Sequence, residues 1–127
     1  MRSRADKLAR MVSLMKLQLR LSEWQLGQLR QREHHLQDEE IWLVGALNEA
    51  QPPAGSSSAS IARRLTATGV GVRAVQEQAE MQLDRVRSQN RRVKHLEQVA
   101  KEALASKLRD AEMRSLEEIA AVRPLAD

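Results

Sequence analysis

Apolar residues return every three or four positions along most of the chain, and no stretch sustains the alternation of period two that a half-buried strand needs. The pattern is interrupted once. Gln51-Pro52-Pro53-Ala54-Gly55-Ser56-Ser57-Ser58-Ala59-Ser60 is the only stretch where Pro, Gly and Ser cluster, and tandem prolines disfavour helix at and before themselves. The sequence therefore predicts two long helices, over about 4–50 and about 61–122, joined by a linker at 51–60. Ser58 or Ser60 is the expected N-cap of the second. Within that helix, Thr68-Gly69-Val70-Gly71 carries two glycines that each cost roughly 1 kcal/mol relative to Ala. This predicts a kink or short break at 69–71, with a small helix Ile61 to Thr66 before it.

Heptads predict how the helices pair. With 12, 19, 26, 33, 40 and 47 as a positions, the residues are Val, Leu, Leu, Glu, Glu and Leu. The d positions 8, 15, 22, 29, 36 and 43 hold Leu, Met, Ser, Leu, Leu and Leu. In the second helix Val72, Ala79, Val86, Val93 and Ala100 alternate with Val75, Gln82, Gln89, Leu96 and Ala103. Both rows are mostly apolar, as a coiled-coil seam requires. Beyond Ala100 the row moves to Leu104, Leu108 and Ala111, two successive steps of four that read as a stutter with local unwinding. A short connection makes long helices antiparallel neighbours. The expected fold is all-α: two long antiparallel helices forming a coiled-coil hairpin over residues 1–127. At 1.5 Å per residue the first helix would run roughly 70 Å, which predicts a rod. The first helix should run out near Ala103, leaving the end of the second as a single-helix overhang.

Composition agrees with helices and narrows the chemistry. Of 127 residues only Trp24 and Trp42 are aromatic, and there is no cysteine, so thiolate chemistry and disulfides are excluded. The longest apolar run, 41–47, is far short of the ~20 residues that span a bilayer, so no membrane span is expected. The N-terminal residues lack the continuous apolar region of a secretory signal. His34 and His35 are adjacent on a helix and do not share the face that an i, i+4 metal pair uses. No Ser, His and carboxylate spacing builds nucleophilic or acid–base chemistry, and Gly69-Val70-Gly71 is not a phosphate loop. The chain is expected to be no enzyme and to carry no cofactor or metal.

The informative residues lie off the seam. Leu14, Leu17, Leu21 and Trp24 fall at c and f positions opposite a and d, and Trp42 is another c. A two-stranded hairpin would leave them in water. Two readings stand: the register is imperfect or a helix from a dimer mate covers the stripe as ordinary core, or the stripe is a partner-binding face. Arg91 and Arg92 centre a basic stretch, Arg85 to His95, that reads either as a solvated face or as a surface for an acidic partner. Without a stacking platform, a zinc finger or a basic region feeding a parallel zipper, nucleic acid is a minor alternative.

Arg2-Ser3-Arg4-Ala5-Asp6-Lys7-Leu8-Ala9-Arg10, running into a long Leu/Gln/Arg helix, resembles the flagellar type III export stalk proteins of the FliJ family. Arg109-Asp110-Ala111-Glu112-Met113-Arg114-Ser115-Leu116-Glu117-Glu118-Ile119 is similar to the charged helix that closes those proteins, and the plan of two antiparallel helices with one overrunning the other agrees. The injectisome counterpart, the YscO family, shares that plan. The linker is richer in Pro and Ser, and the chain shorter, than the family pattern. The resemblance implies a cytoplasmic, non-enzymatic stalk, peripheral to a membrane-embedded export apparatus. Its terminal end would enter the hexameric ring of the export ATPase, and its body would contact the export gate and chaperones. The basic N-terminal part, with eight Lys or Arg against three acids in residues 1–37, suits a complementary ring. The alternative reading is a homo-oligomeric coiled-coil scaffold or chaperone.

Overall fold

The N-terminus of the first helix is closed by two reciprocal hydrogen bonds. The Ser3 backbone N–H donates to Asp6 Oδ2 at 3.3 Å and the Asp6 N–H donates to Ser3 Oγ at 3.2 Å. This capping box satisfies two of the donors that a helix start leaves orphaned. In the computed structural model, which describes residues 3–49, 55 and 57–122, it opens α1 (Arg4–Leu47). The second helix, α2 (Ser58–Val122), starts in the same way: Ser60 N–H donates to Ser57 Oγ and Ser57 N–H to Ser60 Oγ, both at 3.1 Å. The N-cap is therefore Ser57, one residue before the earlier of the two expected caps. Ser58 is the first helical residue, and Ser60 supplies the reciprocal bond.

The fold is all-α, two long helices packed antiparallel as a hairpin, with no strand among the described residues. Helix α1 ends at Leu47, short of the expected residue 50. The Glu49 N–H closes onto the Ala46 carbonyl at 3.3 Å, a tighter i−3 bond that marks the exit. Position 50 and Pro52-Pro53 lie outside the described residues. Gly55 has φ +82°, a backbone conformation that a Cβ would strain.

Two compact units are distinguished, one formed by Arg20–Ser88 and one by Met1–Leu19 with Gln89–Asp127. In the first, Leu43, Ala46 and Ile61 form a buried cluster with Leu65 packed on it. Leu43 is 1% exposed, and fully burying a leucine contributes roughly 2–3 kcal/mol. Here Ala46 takes the inward place that the heptad gave to Leu47, which is exposed. Thr68, Val72, Val75, Ala79 and Gln82 carry the seam along α2, facing Ser22, Leu26, Leu29, Glu33, Leu36 and Glu40, all buried or half-buried on α1.

Of the kink or short break expected at 69–71, the break does not occur: α2 continues as one α-helix through Gly69 and Gly71. The reason is visible in the seam: Ile61, Leu65 and Thr68 lie in the same three–four register as Val72 and Val75, and all turn inward. Packing on both sides of the glycines holds a helix that propensity alone would weaken by roughly 2 kcal/mol.

Polar groups inside this seam are mostly satisfied. Gln82 Nε2 donates to the Ser22 carbonyl at 2.9 Å and to Gln25 Oε1 at 3.3 Å, and Gln76 Nε2 donates to Glu33 Oε1 at 3.3 Å. Arg64 pairs with Glu39 at 2.8 Å on an exposed edge.

In the terminal unit Ala5, Val12 and Val93 are buried, and Leu8, Met15, Leu96, Ala100 and Ala103 are half-buried in the same register. The next positions of that register on α2 are Lys107, Asp110 and Arg114, all exposed. Lys107 Nζ lies 3.6 Å from Asp6 Oδ1, and Ser3 and Arg4 share a surface depression with Asp110 and Arg114. The seam thus turns charged where α1 begins. The steps of four to Leu104 and Leu108 mark the apolar row leaving the α1-facing side.

Candidate partner-binding surfaces

The off-seam residues on α1 are solvent-facing. In the terminal unit Leu14 and Leu17 are 64% and 58% exposed, and in the other unit Leu21 and Trp24 are 54% and 61% exposed. Within each unit the three-residue spacing puts the pair on one side of the helix. Trp42 is exposed as well, but it lies five turns further along α1 and is not brought to Trp24; its neighbours are the exposed Ile41 and Val44 near the end of the helix. Arg91 and Arg92 are exposed on α2, and neither takes part in an ion pair among the described residues.

The overhang expected from the sequence, 104–122, is also an apolar surface. Every described residue from Leu104 to Val122 is exposed, and among them are Leu108, Met113, Leu116, Ile119 and Val122. The signal was present in the stutter at Leu104 and Leu108. The row continues along α2 away from the α1-facing side, and among the described residues nothing covers it there. Beside it, α1 and α2 enclose an open apolar groove of about 440 Å³ lined by Ala5, Ala9, Val12, Ala100 and Leu104. Lys16 and Glu97, paired at 3.3 Å, bound it together with Asp6 and Lys101. Small side chains on both walls leave this space open.

The electrostatics are those of a surface. The Ser3 hydroxyl and backbone amide hold the Asp6 carboxyl below the ordinary carboxylate value, with Lys107 adding to the effect. His34 Nε2 lies 3.4 Å from Asp38 Oδ2 across one turn, both exposed. Among the described residues no group of three His, Asp or Glu is placed to hold a metal ion, and no helix is long and apolar enough to cross a membrane. No family model, no curated protein and no solved structure matches the chain.

Proposed function

We propose that the chain is a non-enzymatic stalk or adaptor of a type III protein export apparatus. Its terminal end engages the export ATPase ring, and its body is available to the export gate or to chaperones. The observation that carries this reading is the end of α2. It outruns α1 as a helix exposed on all sides that still bears Leu108, Leu116, Ile119 and Val122, beside the basic start of α1. A single helix whose apolar residues are exposed among the described residues suits insertion into a surrounding partner. The cationic N-terminal part favours a ring lined with acidic groups, because complementary potentials steer and hold such an insertion. Exposed Leu14, Leu17, Leu21 and Trp24 supply a second, separate contact for the body.

The test is binding of the purified chain to the assembled export ATPase. Removing residues 111–127 should abolish binding, while circular dichroism and thermal unfolding show that the remaining hairpin is folded. Undiminished binding by the truncated chain would refute the reading.

A further inference from the structure

Among its described residues the terminal unit carries two unfilled features side by side. One is the groove of about 440 Å³ walled by Ala5, Ala9, Val12, Ala100 and Leu104. The other is the projecting apolar row Leu104, Leu108, Leu116 and Ile119, 50–65% exposed, which begins at the groove's edge and continues along the overhang. Each has the shape the other lacks: small residues leave room, and branched apolar side chains stand out. Both occur on one chain, so a two-fold axis between two copies would fill both at once, each overhang lying in the other's groove.

Charge chooses the occupant and its direction. Of α2, Glu97, Ala100, Lys101 and Leu104 line the groove, and the segment leading into it, residues 89–101, contains Arg91, Arg92, Lys94 and Lys101 against the single acid Glu97, a net +3. Residues 110–122 of the overhang contain Asp110, Glu112, Glu117 and Glu118 against the single base Arg114, a net −3. Two of these 110–122 segments paired in parallel would set −3 against −3. Laid antiparallel about an axis near Ser106, the acidic overhang of each copy falls on the basic stretch of the other. That register sets Lys101 next to Glu112 of the second copy and Lys94 opposite Glu118. All four are exposed, and none is engaged in an ion pair among the described residues.

We infer that the chain self-associates as an antiparallel two-fold dimer in which the apolar row 104–119 of each copy occupies the Ala5–Ala9–Ala100 groove of the other, with Lys94 and Lys101 of one copy facing Glu118 and Glu112 of its mate. The inference does not rest on the stalk reading. Where both hold, self-pairing and ring engagement use the same segment and exclude each other, so the dimer is a form that keeps the overhang covered until the ring displaces it.

The experiment is sedimentation equilibrium of the full chain at low salt, without any ATPase, on the wild type and three charge variants. Wild type should show a concentration-dependent monomer–dimer equilibrium that weakens as salt is raised. Lys94→Glu with Lys101→Glu should weaken the dimer about tenfold or more, because each reversal acts twice across the axis and like charges then face each other. Glu112→Lys with Glu118→Lys should do the same. The quadruple variant should recover most of the wild-type affinity. Circular dichroism is expected to be unchanged throughout, since all four positions are exposed. A wild type monomeric at every concentration overturns the inference, and so does a quadruple variant no tighter than either double. A dimer that Leu17→Glu with Trp24→Glu abolishes while the Lys variants leave it intact overturns it too, and assigns self-association to the α1 stripe. ATPase binding measured on the same Lys variants reports on the stalk reading separately, because Lys94 and Lys101 lie outside the overhang.

Discussion

Replacing Gly69 and Gly71 together by alanine is a direct probe of the claim that α2 is one helix held by its seam. Each glycine in a helix interior costs about 1 kcal/mol relative to alanine, through the extra freedom it has when unfolded. What the new methyl would meet decides whether that gain is realised. A Cβ at Gly71 would lie 3.7 Å from Leu36 Cδ1, and one at Gly69 would lie 3.9 Å from Glu40 Oε2, both ordinary van der Waals separations. Neither needs a neighbour to move, so the double variant should gain about 2 kcal/mol. The unfolding entropy of 127 residues is about 0.27 kcal/mol per kelvin, so the midpoint should rise by about 7 °C. Thermal unfolding followed by circular dichroism at 222 nm measures it. An unchanged or lowered midpoint, or lost helical signal, would refute the continuous helix at 69–71, because alanine is unfavourable only where the backbone departs from α.

Three further outcomes follow from single residues. Gln89 Oε1 is buried without a hydrogen-bond partner among the described residues, whereas the Gln82 amide donates to Ser22 and Gln25. Gln89→Leu should therefore raise stability by about 1–2 kcal/mol in urea unfolding and Gln82→Leu should change it by less than about 1, since only the first relieves an unmade bond. Because the folded-state pKa of Asp6 lies below its unfolded value, the stability from its Ser3 cap and Lys107 contact is present above that unfolded value. It is lost as pH falls through the folded value. An NMR titration should show the Asp6 pKa rising in Ser3→Ala, and a titration identical to wild type would contradict the cap. Finally, Ser57→Ala should cost about 1 kcal/mol and Ser58→Ala almost nothing in thermal unfolding, because only Ser57 Oγ accepts the Ser60 amide.

Most of the fold could be read from the sequence because a single physical signal, apolar residues at heptad spacing, governs it. Val12, Ser22 and Leu43 on α1 and Val72, Gln82 and Val93 on α2 all face inward as the register required, including the polar ones. The exceptions share a cause. The break expected at Gly69–Gly71 weighed local propensity and overlooked Ile61, Leu65 and Thr68, which continue the same register and so supply packing across the glycines. Leu47 gave way to Ala46 because the helix was already ending. The N-cap slipped to Ser57 because a run of serines offers several equivalent caps, and only the reciprocal bond to Ser60 distinguishes them. For the surfaces, Leu14, Leu17, Leu21, Trp24 and Trp42 were recognisable as exposed, since position in the heptad sets exposure. The apolar face of 104–122 was not, because its meaning depends on where α1 starts. The groove between Ala5, Ala9 and Ala100 was equally hidden, since an alanine-lined space exists only once two helices lie beside each other.

The measurement that bears most directly on the proposed role is equilibrium binding of the full chain to the hexameric type III export ATPase, compared with the chain ending at Asp110. The account expects saturable binding by the full chain, weakened as salt rises, and none by the shortened chain although its hairpin remains folded. Equal binding by both chains, or no binding by the full chain at low salt to a ring shown to be assembled, would contradict it.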